Sequence, residues 1–526
     1  MSRSPTLLAL SLTLLGACAD DTASKPVARL KPLTDCGQAK DYIKQVALDR
    51  MNKVIDDELG AYIRGERCYR GYGAEDSAGS PSPGSTTGTG GGTGGTGGTS
   101  GPSTGTGTNN QVAGVDEADF IKNDGQYIYL AQNGVLRIVD SWPADQTHEV
   151  SKTPIDGDPK KLFVLGDKAL VYVAVGDTSQ NGWWNRECTY GYDCDFTGDG
   201  TSTKLLVYDI TDRAAPQLER EVTLSGSLIA ARRIGSAVHT VVTQAANPFP
   251  DIQYTPDTDL CGYTTQRPSP IYVLRASQAY ERLREKNRQT ILDADLDTRL
   301  PYVADSAGLT PTGEAASCEG LYASSINDGE AFTSIVSVDI DHPGPVKTST
   351  IISAPGAIYA SEDSLYMAVP HRWQNASWDS YESQDSISTV HKFRISDIAG
   401  QTRYLASGLV GGRALNQFAM DEKDGFLRIA TTDGHVPSPD VVSYLTILDE
   451  QGDDLVAVGK VGGIAPTEDI RSVRFDGNHA FVVTFKKTDP LFTFDLTNPG
   501  DPQLVGELQI PGFSTYMHLI DDNHLL

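Results

Sequence analysis

The sequence predicts an all-β fold, namely a β-propeller of four-stranded antiparallel blades. The first reason is that two kinds of β-hairpin phrase alternate from Val112 to the end of the chain. The second reason is that one phrase of each kind recurs about every fifty residues wherever no insertion intervenes, which is the length of a propeller blade. A pair of β-sandwiches also uses hairpins, but a sandwich seldom repeats one two-part phrase six times.

The first kind of phrase is a strand, a tight turn with Asp, Gly or Asn, and an apolar strand, as in FIKNDGQYIYLA. It occurs seven times, at residues 120–131, 162–175, 229–243, 357–369, 418–431, 473–485 and 516–526. The second kind joins two strands by an acidic or Pro-containing turn and ends in Gly. It occurs six times, at residues 134–157, 205–226, 334–356, 390–412, 443–463 and 491–512. We therefore expect about seven blades with the last one incomplete, and a chain that is a fragment of a longer one.

Composition excludes several kinds of partner. Charged residues make up 21% and hydrophobic residues 39% of the 526 residues, which is typical of a globular protein. The formal net charge is −26, and no basic stripe offsets it. Such a field repels polyanions, so nucleic acid and anionic membrane surfaces are poor partners.

Residues 1–17 resemble a bacterial lipoprotein signal peptide. A positive charge at Arg3 and an apolar run at residues 7–15 precede the tetrapeptide LGAC, which ends at Cys18 and matches the lipobox. This interpretation predicts acylation of Cys18 and anchoring to a membrane of the bacterial envelope by hydrocarbon burial. Ala19, in place of Asp, favours the outer membrane. The alternative is an ordinary secretory signal peptide.

The region before the propeller divides into two parts. Residues 18–73 predict a helical segment. Residues 74–109 are rich in Gly, Thr and Ser and predict a flexible linker, which leads into the propeller of residues 110–526. In the helical segment apolar residues recur every three or four positions, so one face must pack against the main domain or a partner. These residues are Ile43, Val46, Met51, Val54, Ile55, Leu59 and Ile63. We interpret the linker as a stalk.

Six cysteines remain after Cys18, an even number that suits disulfides in an exported protein. Cys188 and Cys194 enclose a short loop and are one expected pair. Cys261 and Cys318 lie in one long insertion and are a second expected pair.

The other two cysteines, Cys36 and Cys68, flank the predicted helix. A straight helix of that length holds their Cα atoms tens of ångströms apart, whereas a disulfide needs about 7 Å or less. Either the helix doubles back or these two cysteines are not a pair, and both alternatives remain open.

The start of the propeller, NQVAGVDEADFIKNDG, resembles a family of secreted bacterial and archaeal proteins with a C-terminal β-propeller distantly related to WD40 repeats. The resemblance covers residue 110 to the end, and it implies a fold and an exported location but no reaction. The positions that carry it are Gln111, Gly114, Val115, Asp116, Glu117, Ala118, Asp119, Lys122, Asp124 and Gly125.

The letters VDEAD within this stretch also occur in ATP-driven helicases. Such an enzyme needs a GxxxxGK[ST] loop to cradle phosphates, and the sequence contains none. No nucleotide is therefore expected. We expect Asp116, Glu117 and Asp119 to accept backbone N–H bonds at the turn into the first strand.

The loop YDCDFTGDG has the spacing of a calcium-binding loop, with Gly198 at its turn position. The twelfth position is Lys204 in place of a bidentate Glu, which favours a solvated acidic loop. Calcium at weak affinity is the only cofactor that the sequence suggests. Its candidate ligands are Asp193, Asp195, Thr197 and Asp199.

The sequence favours a binding role over catalysis. Its nine histidines show no zinc-ligand spacing, and the propeller region has no GxSxG elbow. Two insertions place aromatic residues among Asn, Asp and Ser, which suits contact with sugars or proteins; the alternative is that they cover their own blades. They are Trp183, Trp184, Trp373, Trp378 and Tyr381. A third insertion, Ala276–Arg299, predicts a surface helix.

We therefore expect an envelope-anchored propeller that binds or scaffolds protein or glycan partners. The alternative is a polysaccharide hydrolase or lyase, whose carboxylates come together from different blades at the central channel. Sequence spacing does not reveal such a site.

Overall fold

A computed structural model describes residues 28–66, 110–176, 198–244, 249–258, 260, 268–310, 318–326, 331–371, 386–434, 436, 438–485, 489–510, 514, 517, 519–521 and 524–525. Strands predominate in this part of the chain, and they form successive antiparallel sheets. The chain begins with β1 (Leu30–Pro32), α1 (Cys36–Arg64) and β2 (Asp116–Glu117).

The first three sheets are numbered in chain order. Sheet 1 contains β3 (Ile121–Asn123), β4 (Tyr127–Gln132), β5 (Val135–Asp140) and β6 (His148–Pro154). Sheet 2 contains β7 (Asp158–Leu165), β8 (Lys168–Val175), β9 (Ser202–Asp209) and β10 (Gln217–Leu224). Sheet 3 and its insertion contain β11 (Ser227–Ile234), β12 (Ala237–Gln244), α2 (Pro270–Asp293), β13 (Val303–Asp305), β14 (Leu321–Ser324), β15 (Phe332–Asp339) and β16 (Lys347–Ile352).

The remaining sheets follow without an inserted helix. Sheet 4 contains β17 (Ala357–Ala360), β18 (Ser364–His371), β19 (Ile387–Arg394) and β20 (Arg403–Gly411). Sheet 5 contains β21 (Met420–Lys423), β22 (Phe426–Asp433), β23 (Val442–Gln451) and β24 (Asp454–Ile464). Sheet 6 contains β25 (Asp469–Asp476), β26 (His479–Phe485), β27 (Asp489–Asp495) and β28 (Gln503–Ile510), and sheet 7 contains β29 (Leu519–Asp521) and β30 (His524–Leu525).

The sheets follow the two kinds of phrase in the sequence. In sheets 1–6 the first two strands are a first-kind hairpin and the last two are a second-kind hairpin, and these four strands pair in antiparallel order; in sheet 3 they are β11, β12, β15 and β16. One parallel bridge, between Ser407 of β20 and Asp454 of β24, joins the edges of sheets 4 and 5. Sheet 7 has only the first hairpin in the described residues. The predicted propeller of four-stranded antiparallel blades is confirmed.

The hydrophobic core lies between neighbouring sheets. Separate clusters of buried side chains join sheets 1 and 2, 2 and 3, 3 and 4, 4 and 5, and 5 and 6. At the second of these interfaces, the hydroxyls of Tyr172 and Thr240 hydrogen-bond at 2.7 Å. Two stacked sandwiches would bury a few large interfaces, whereas this succession of face-to-face contacts is the packing of propeller blades.

The N-terminal helix is a docked part of the molecule. Asp35 caps α1 by accepting a bond from the Gln38 backbone N–H at 2.9 Å, and Gly65 ends the helix with a φ of 86°. The buried face of α1 packs on α2 and on the end of sheet 3, where Phe332 and Ile352 complete the cluster. The main domain therefore covers most of the apolar face that the sequence predicted, including Ile43, Met51 and Ile55, whereas Ile63 is 42% exposed.

The inserted helix α2 starts with Pro270 at its first helical position and packs against α1. Arg284 fixes the pair by donating to the side chains of Asn52 and Asp56. The prediction of a helix in this insertion is confirmed, but its bounds differ from Ala276–Arg299, and α1 covers one of its sides.

One expected disulfide pairing is wrong. Cys318 is bonded to Cys36, with 5.3 Å between the two Cα atoms, and not to Cys261. Helix α1 runs unbroken from Cys36, so it does not double back toward Cys68. Cys68, Cys188, Cys194 and Cys261 lie outside the described residues.

The outer edges of sheets 2 and 3 carry extra strands. Strand β13 pairs with β10, and β14 lies parallel to β16 and is followed by β1. Both flanks of residues 67–109 are thus attached to the same propeller, one through β1 and α1 and the other through β2 and β3. The interpretation of residues 74–109 as a flexible linker remains a prediction.

Candidate binding face

The two ends of the propeller differ in the connections that they carry. In an antiparallel four-stranded sheet, the second-to-third connection and the link to the next sheet leave from one end. We call this end the insertion face. The first-to-second and third-to-fourth connections leave from the other end, which we call the hairpin face.

The three longest connections of sheets 1–6 leave the sheets from the insertion face. They join β8 to β9, β12 to β15 and β18 to β19, and they span residues 176–201, 245–331 and 372–386. On the hairpin face, the longest connection is 395–402. A rigid scaffold with its long loops at one end is the usual arrangement of a binding surface.

The hairpin face is closed by repeated aspartate caps. Asp209 accepts the backbone N–H of Thr211 at 2.8 Å, Asp339 accepts that of Asp341 at 2.9 Å, and Asp495 accepts that of Thr497 at 2.9 Å. The backbone and hydroxyl bonds from Thr211, with the Lys168 ammonium, lower the pKa of Asp209 to about 2. These three aspartates lie at the turns in the middle of second-kind hairpins. Their carboxylates accept backbone N–H bonds within the turns and so stabilise the fold.

The predicted aromatic contacts belong to two connections of the insertion face. Trp183 and Trp184 fall between Val175 and Ser202, and Trp373, Trp378 and Tyr381 fall between β18 and β19; all five lie outside the described residues. The end of the second connection is fixed, because the backbone N–H and the hydroxyl of Ser386 bond to Asp433 at 2.9 and 2.7 Å. The role of the aromatic residues remains a prediction.

A cavity of about 430 Å³ opens where the first of these connections leaves sheet 2. It is lined by Asp156, Gly157, Asp158, Ala174, Val175, Gly176 and Thr201. Gly157 has a φ of 119°, and a Cβ at this position would lie 2.6 Å from a methyl carbon of Val173. The sequence does not predict this cavity, since the IDGDP turn between the first two blades supplies only three of its lining residues.

Of the candidate calcium ligands, only Asp199 is among the described residues; Asp193, Asp195 and Thr197 are not. Asp199 accepts the backbone N–H of Thr201 at 3.0 Å and lies 3.6 Å from the Lys160 ammonium, which is also 3.0 Å from Asp158. The Lys160 ammonium thus lies between the carboxylates of Asp158 and Asp199, which is the position where their negative charges would attract a metal cation most strongly. In the described part of the chain, no cluster of three or more His, Cys, Asp or Glu could hold a metal ion.

The twelfth position of the calcium pattern belongs to a strand. Lys204 lies in β9 and its ammonium is 2.9 Å from Glu221 on β10. The lysine therefore takes part in pairing within sheet 2. The assignment of calcium to this loop remains an untested prediction.

The VDEAD stretch lies at the centre of the propeller. Gln111 donates to the Met420 carbonyl at 2.9 Å on sheet 5, β2 pairs with β11 of sheet 3, and Leu162 of sheet 2 donates to the Asp119 carbonyl at 2.7 Å. Gly114 approaches the turn of sheet 4, where an added Cβ would lie 1.9 Å from the Glu362 carboxylate. One segment contacts the first hairpins of four sheets and then enters sheet 1, so these hairpins surround a common axis.

The first acidic residue of this segment is held by cations. Asp116 accepts from Lys122 at 2.7 Å and from Arg233 at 2.9 Å, and Lys122 is buried. The expected role of capping backbone N–H groups is therefore wrong for Asp116. The segment is structural, because its carboxylate joins the third sheet to the first.

The other two acidic residues do cap backbone groups. Glu117 accepts the Gln111 backbone N–H at 3.3 Å, and Asp119 accepts that of Phe120 at 2.7 Å. Glu117 also accepts from the Gln417 amide at 3.1 Å, which links it to sheet 5. The expectation of capping is confirmed for Glu117 and Asp119.

Two buried histidines have structural partners. The ring nitrogens of His239 contact the Ser337 hydroxyl and the Ser396 carbonyl, both at 2.8 Å, and His391 contacts the Ser407 hydroxyl at 2.6 Å. Burial lowers the pKa of His239 to about 4 and that of His391 to about 3. Both rings are neutral near pH 7 and lie inside the packed sheets.

The family comparison covers most of the chain. The model of a family described as a beta propeller domain matches residues 105–526. No helix in the described residues has the length and apolar character to cross a membrane.

Two archaeal proteins, both uncharacterized, are similar in sequence. One, from Methanocaldococcus jannaschii, is 26% identical over 441 residues, covering 79% of this chain and 64% of the relative. The other, from Archaeoglobus fulgidus, is 41% identical over 156 residues, covering 30% of this chain and 23% of the relative. The chain thus spans less than two thirds of the length of either relative.

Two solved structures also show likeness. KlAtg21, in a complex with the coiled coil of AgAtg16, has a TM-score of 0.29 at 10% identity, covering 73% of this chain and 81% of that one. The N-terminal domain of Nup159 has a TM-score of 0.28 at 7% identity, covering 74% of this chain and 77% of that one.

Proposed function

Because this chain belongs to the beta propeller domain family, we propose that it is a binding module whose insertion face contacts protein or glycan partners at the bacterial cell envelope. Acyl chains on Cys18 anchor the module to the membrane. The observation that carries the proposal is the position of the long connections, since those within sheets 1–6 leave from one face. In sheets 1–6 every connection of the opposite face has eight residues or fewer.

The scaffold suits such a role because it is rigid under the loops. Five interfaces of buried side chains connect sheets 1–6, and the central segment ties the first hairpins together. A loop fixed at both ends on a rigid scaffold loses less conformational entropy on binding than a free segment does. The chemistry of the partner follows from charge: with a net charge of −26, a neutral or basic surface is favoured over a polyanion.

The test compares tryptophans that belong to connections of opposite faces. The double variants Trp183→Ala/Trp184→Ala and Trp373→Ala/Trp378→Ala alter two connections of the insertion face. The matched control is Trp142→Ala, because Trp142 is 39% exposed and lies in a connection of the hairpin face. Thermal unfolding of each variant checks that the propeller is intact.

Partners are captured from envelope extract with the parent protein and identified, and the Kd of each variant is then measured. We expect the insertion-face variants to weaken binding by about tenfold or more, which is the usual effect of removing buried interface aromatics, and Trp142→Ala to leave it unchanged. A Kd that responds only to Trp142→Ala, or to none of the three, contradicts the proposal.

A further inference from the structure

The N-terminal segment, residues 28–66, is held firmly on the outer rim of the propeller. Strand β1 is the last strand of the extended sheet 3, and its Leu30 is buried. Arg29 reaches sheet 5, where its guanidinium contacts Asp454 at 2.7 and 2.9 Å. The Tyr404 hydroxyl of sheet 4 accepts the Leu30 backbone N–H at 3.3 Å. The chain therefore becomes part of the propeller at Ala28, at the rim of sheets 3–5.

This docking sets how far the proposed anchor can be from the propeller. Only residues 19–27 separate Cys18 from Ala28. Fully extended, this stretch spans about 35 Å at most, and a random coil of the same length spans about half of that. The glycine-rich linker adds nothing to this distance, because it follows the docked helix and returns to the same propeller.

Charge near the docked N-terminus permits a close approach to a membrane. The whole chain has 43 Lys and Arg against 69 Asp and Glu. Helix α1 has five of each, and α2 has five basic residues against three acidic ones. The helix pair thus has a net charge of +2 in a protein whose formal net charge is −26, so an anionic lipid surface does not repel it. Ile271 and Leu274 of α2 are more than half exposed there.

We propose that the lipid bilayer is the partner of this rim: the anchor at Cys18 holds the propeller close to the membrane with the edge of β1 and the helix pair toward the lipid. Since α2 belongs to the connection 245–331, this part of the insertion face is left to the bilayer, and the protein or glycan partner contacts the other two long connections. Residues 67–109 are an internal connection and not a spacer. This inference rests on the proposed anchoring, and it adds the orientation of the molecule and the distance from the membrane.

The first test compares the same insertion at two places. The acylated full chain is bound to vesicles of phosphatidylethanolamine and phosphatidylglycerol, and energy transfer from a dye on the protein to labelled lipid reports the distance. Twenty Gly and Ser residues are inserted either after Gly98, inside the linker, or after Thr22, before the docked segment. Both variants should fold, because the entropy of closing a loop grows only slowly with its length.

We expect the insertion after Thr22 to move the propeller outward by on the order of 10 Å, from random-coil scaling. The insertion after Gly98 should leave the distance unchanged. Outward movement with the insertion after Gly98 shows that the linker is a stalk and overturns the inference.

A second pair of variants tests the orientation. The dye is placed at Lys31→Cys on β1 or at Lys152→Cys on β6, which are both exposed lysines on outer strands. Energy transfer should be strong from residue 31 and weak from residue 152. Equal transfer from both positions, or stronger transfer from residue 152, overturns the orientation.

Failure of the anchor gives a different result. If the chain with Cys18 does not acquire acyl chains in a bacterial host, the proposed anchoring is wrong. The protein is then held by a hexahistidine tag at position 18 on nickel-chelating lipid, and the same distances are measured. Because the docked segment is unchanged, only the insertion after Thr22 should increase the distance from the membrane, and energy transfer should still be stronger from residue 31 than from residue 152. Equal distances for the two insertions, or equal transfer from the two dye positions, overturn the inference.

Discussion

At the scale of single residues, two buried histidines make stability depend on pH. Burial lowers the pKa of His239 to about 4 and that of His391 to about 3, while an unfolded histidine has a pKa of about 6.5. Below pH 6.5 the unfolded chain therefore binds protons that the folded chain does not bind. Stability is full above this pH, and it falls as the pH drops toward the two folded values.

We expect the free energy of unfolding to fall by about 2–3 kcal/mol per histidine between pH 7.5 and pH 4.5, as measured by urea unfolding. In His239→Gln this dependence on pH should be shallower, because one of the two groups is removed. The control is His148→Gln, at an exposed site on β6, which should keep the parent profile. An identical slope in the parent and in His239→Gln contradicts the assignment.

At the scale of elements, the docking of α1 depends on its buried face. Ile55 is fully buried in the cluster under the helix, whereas Ile63 on the same helix is 42% exposed. Ile55→Ala should lower the free energy of unfolding by about 2–5 kcal/mol through lost burial and a cavity. Ile63→Ala should cost much less. Equal losses in urea unfolding would show that α1 does not pack as described.

The Cys36–Cys318 disulfide joins the same helix to the insertion of sheet 3. It closes a sequence separation of 282 residues, so its removal should cost about 2–5 kcal/mol. In Cys36→Ser we expect trypsin to cut α1 while fragments of sheets 4–6 resist, as read by mass spectrometry. Cys261→Ser is the control, and Cys36 and Cys318 should remain bonded in it. A bond between Cys261 and Cys318 in the parent protein contradicts this account.

Sequence and structure agree wherever the signal is local. The turn and the alternating strands of FIKNDGQYIYLA lie within twelve adjacent residues, so they predict β3 and β4 without any knowledge of the rest of the fold. The partner of Cys36 is distant in the sequence, and nothing near either cysteine identifies it. The same limit applies to Asp116, whose cation partner Arg233 comes from another sheet.

The insertion face could have been predicted. Each long insertion falls between a first-kind and a second-kind phrase, and that position always corresponds to the connection between the second and third strands of a sheet. In an antiparallel sheet this position fixes the end from which the insertion leaves. The cavity beside Gly157 could not be predicted, because its walls come from the IDGDP turn and from two strands on either side of a long insertion.

At the scale of the whole molecule, the central claim is that one face of a rigid propeller binds the partner. Hydrogen–deuterium exchange of the full chain, with and without its captured partner, tests this claim most directly. We expect slower exchange on binding at the insertion face, including the connection 155–157 and the ends of residues 176–201. The turns of the hairpin face, such as 340–346, should exchange at unchanged rates. Protection confined to those turns would contradict the account.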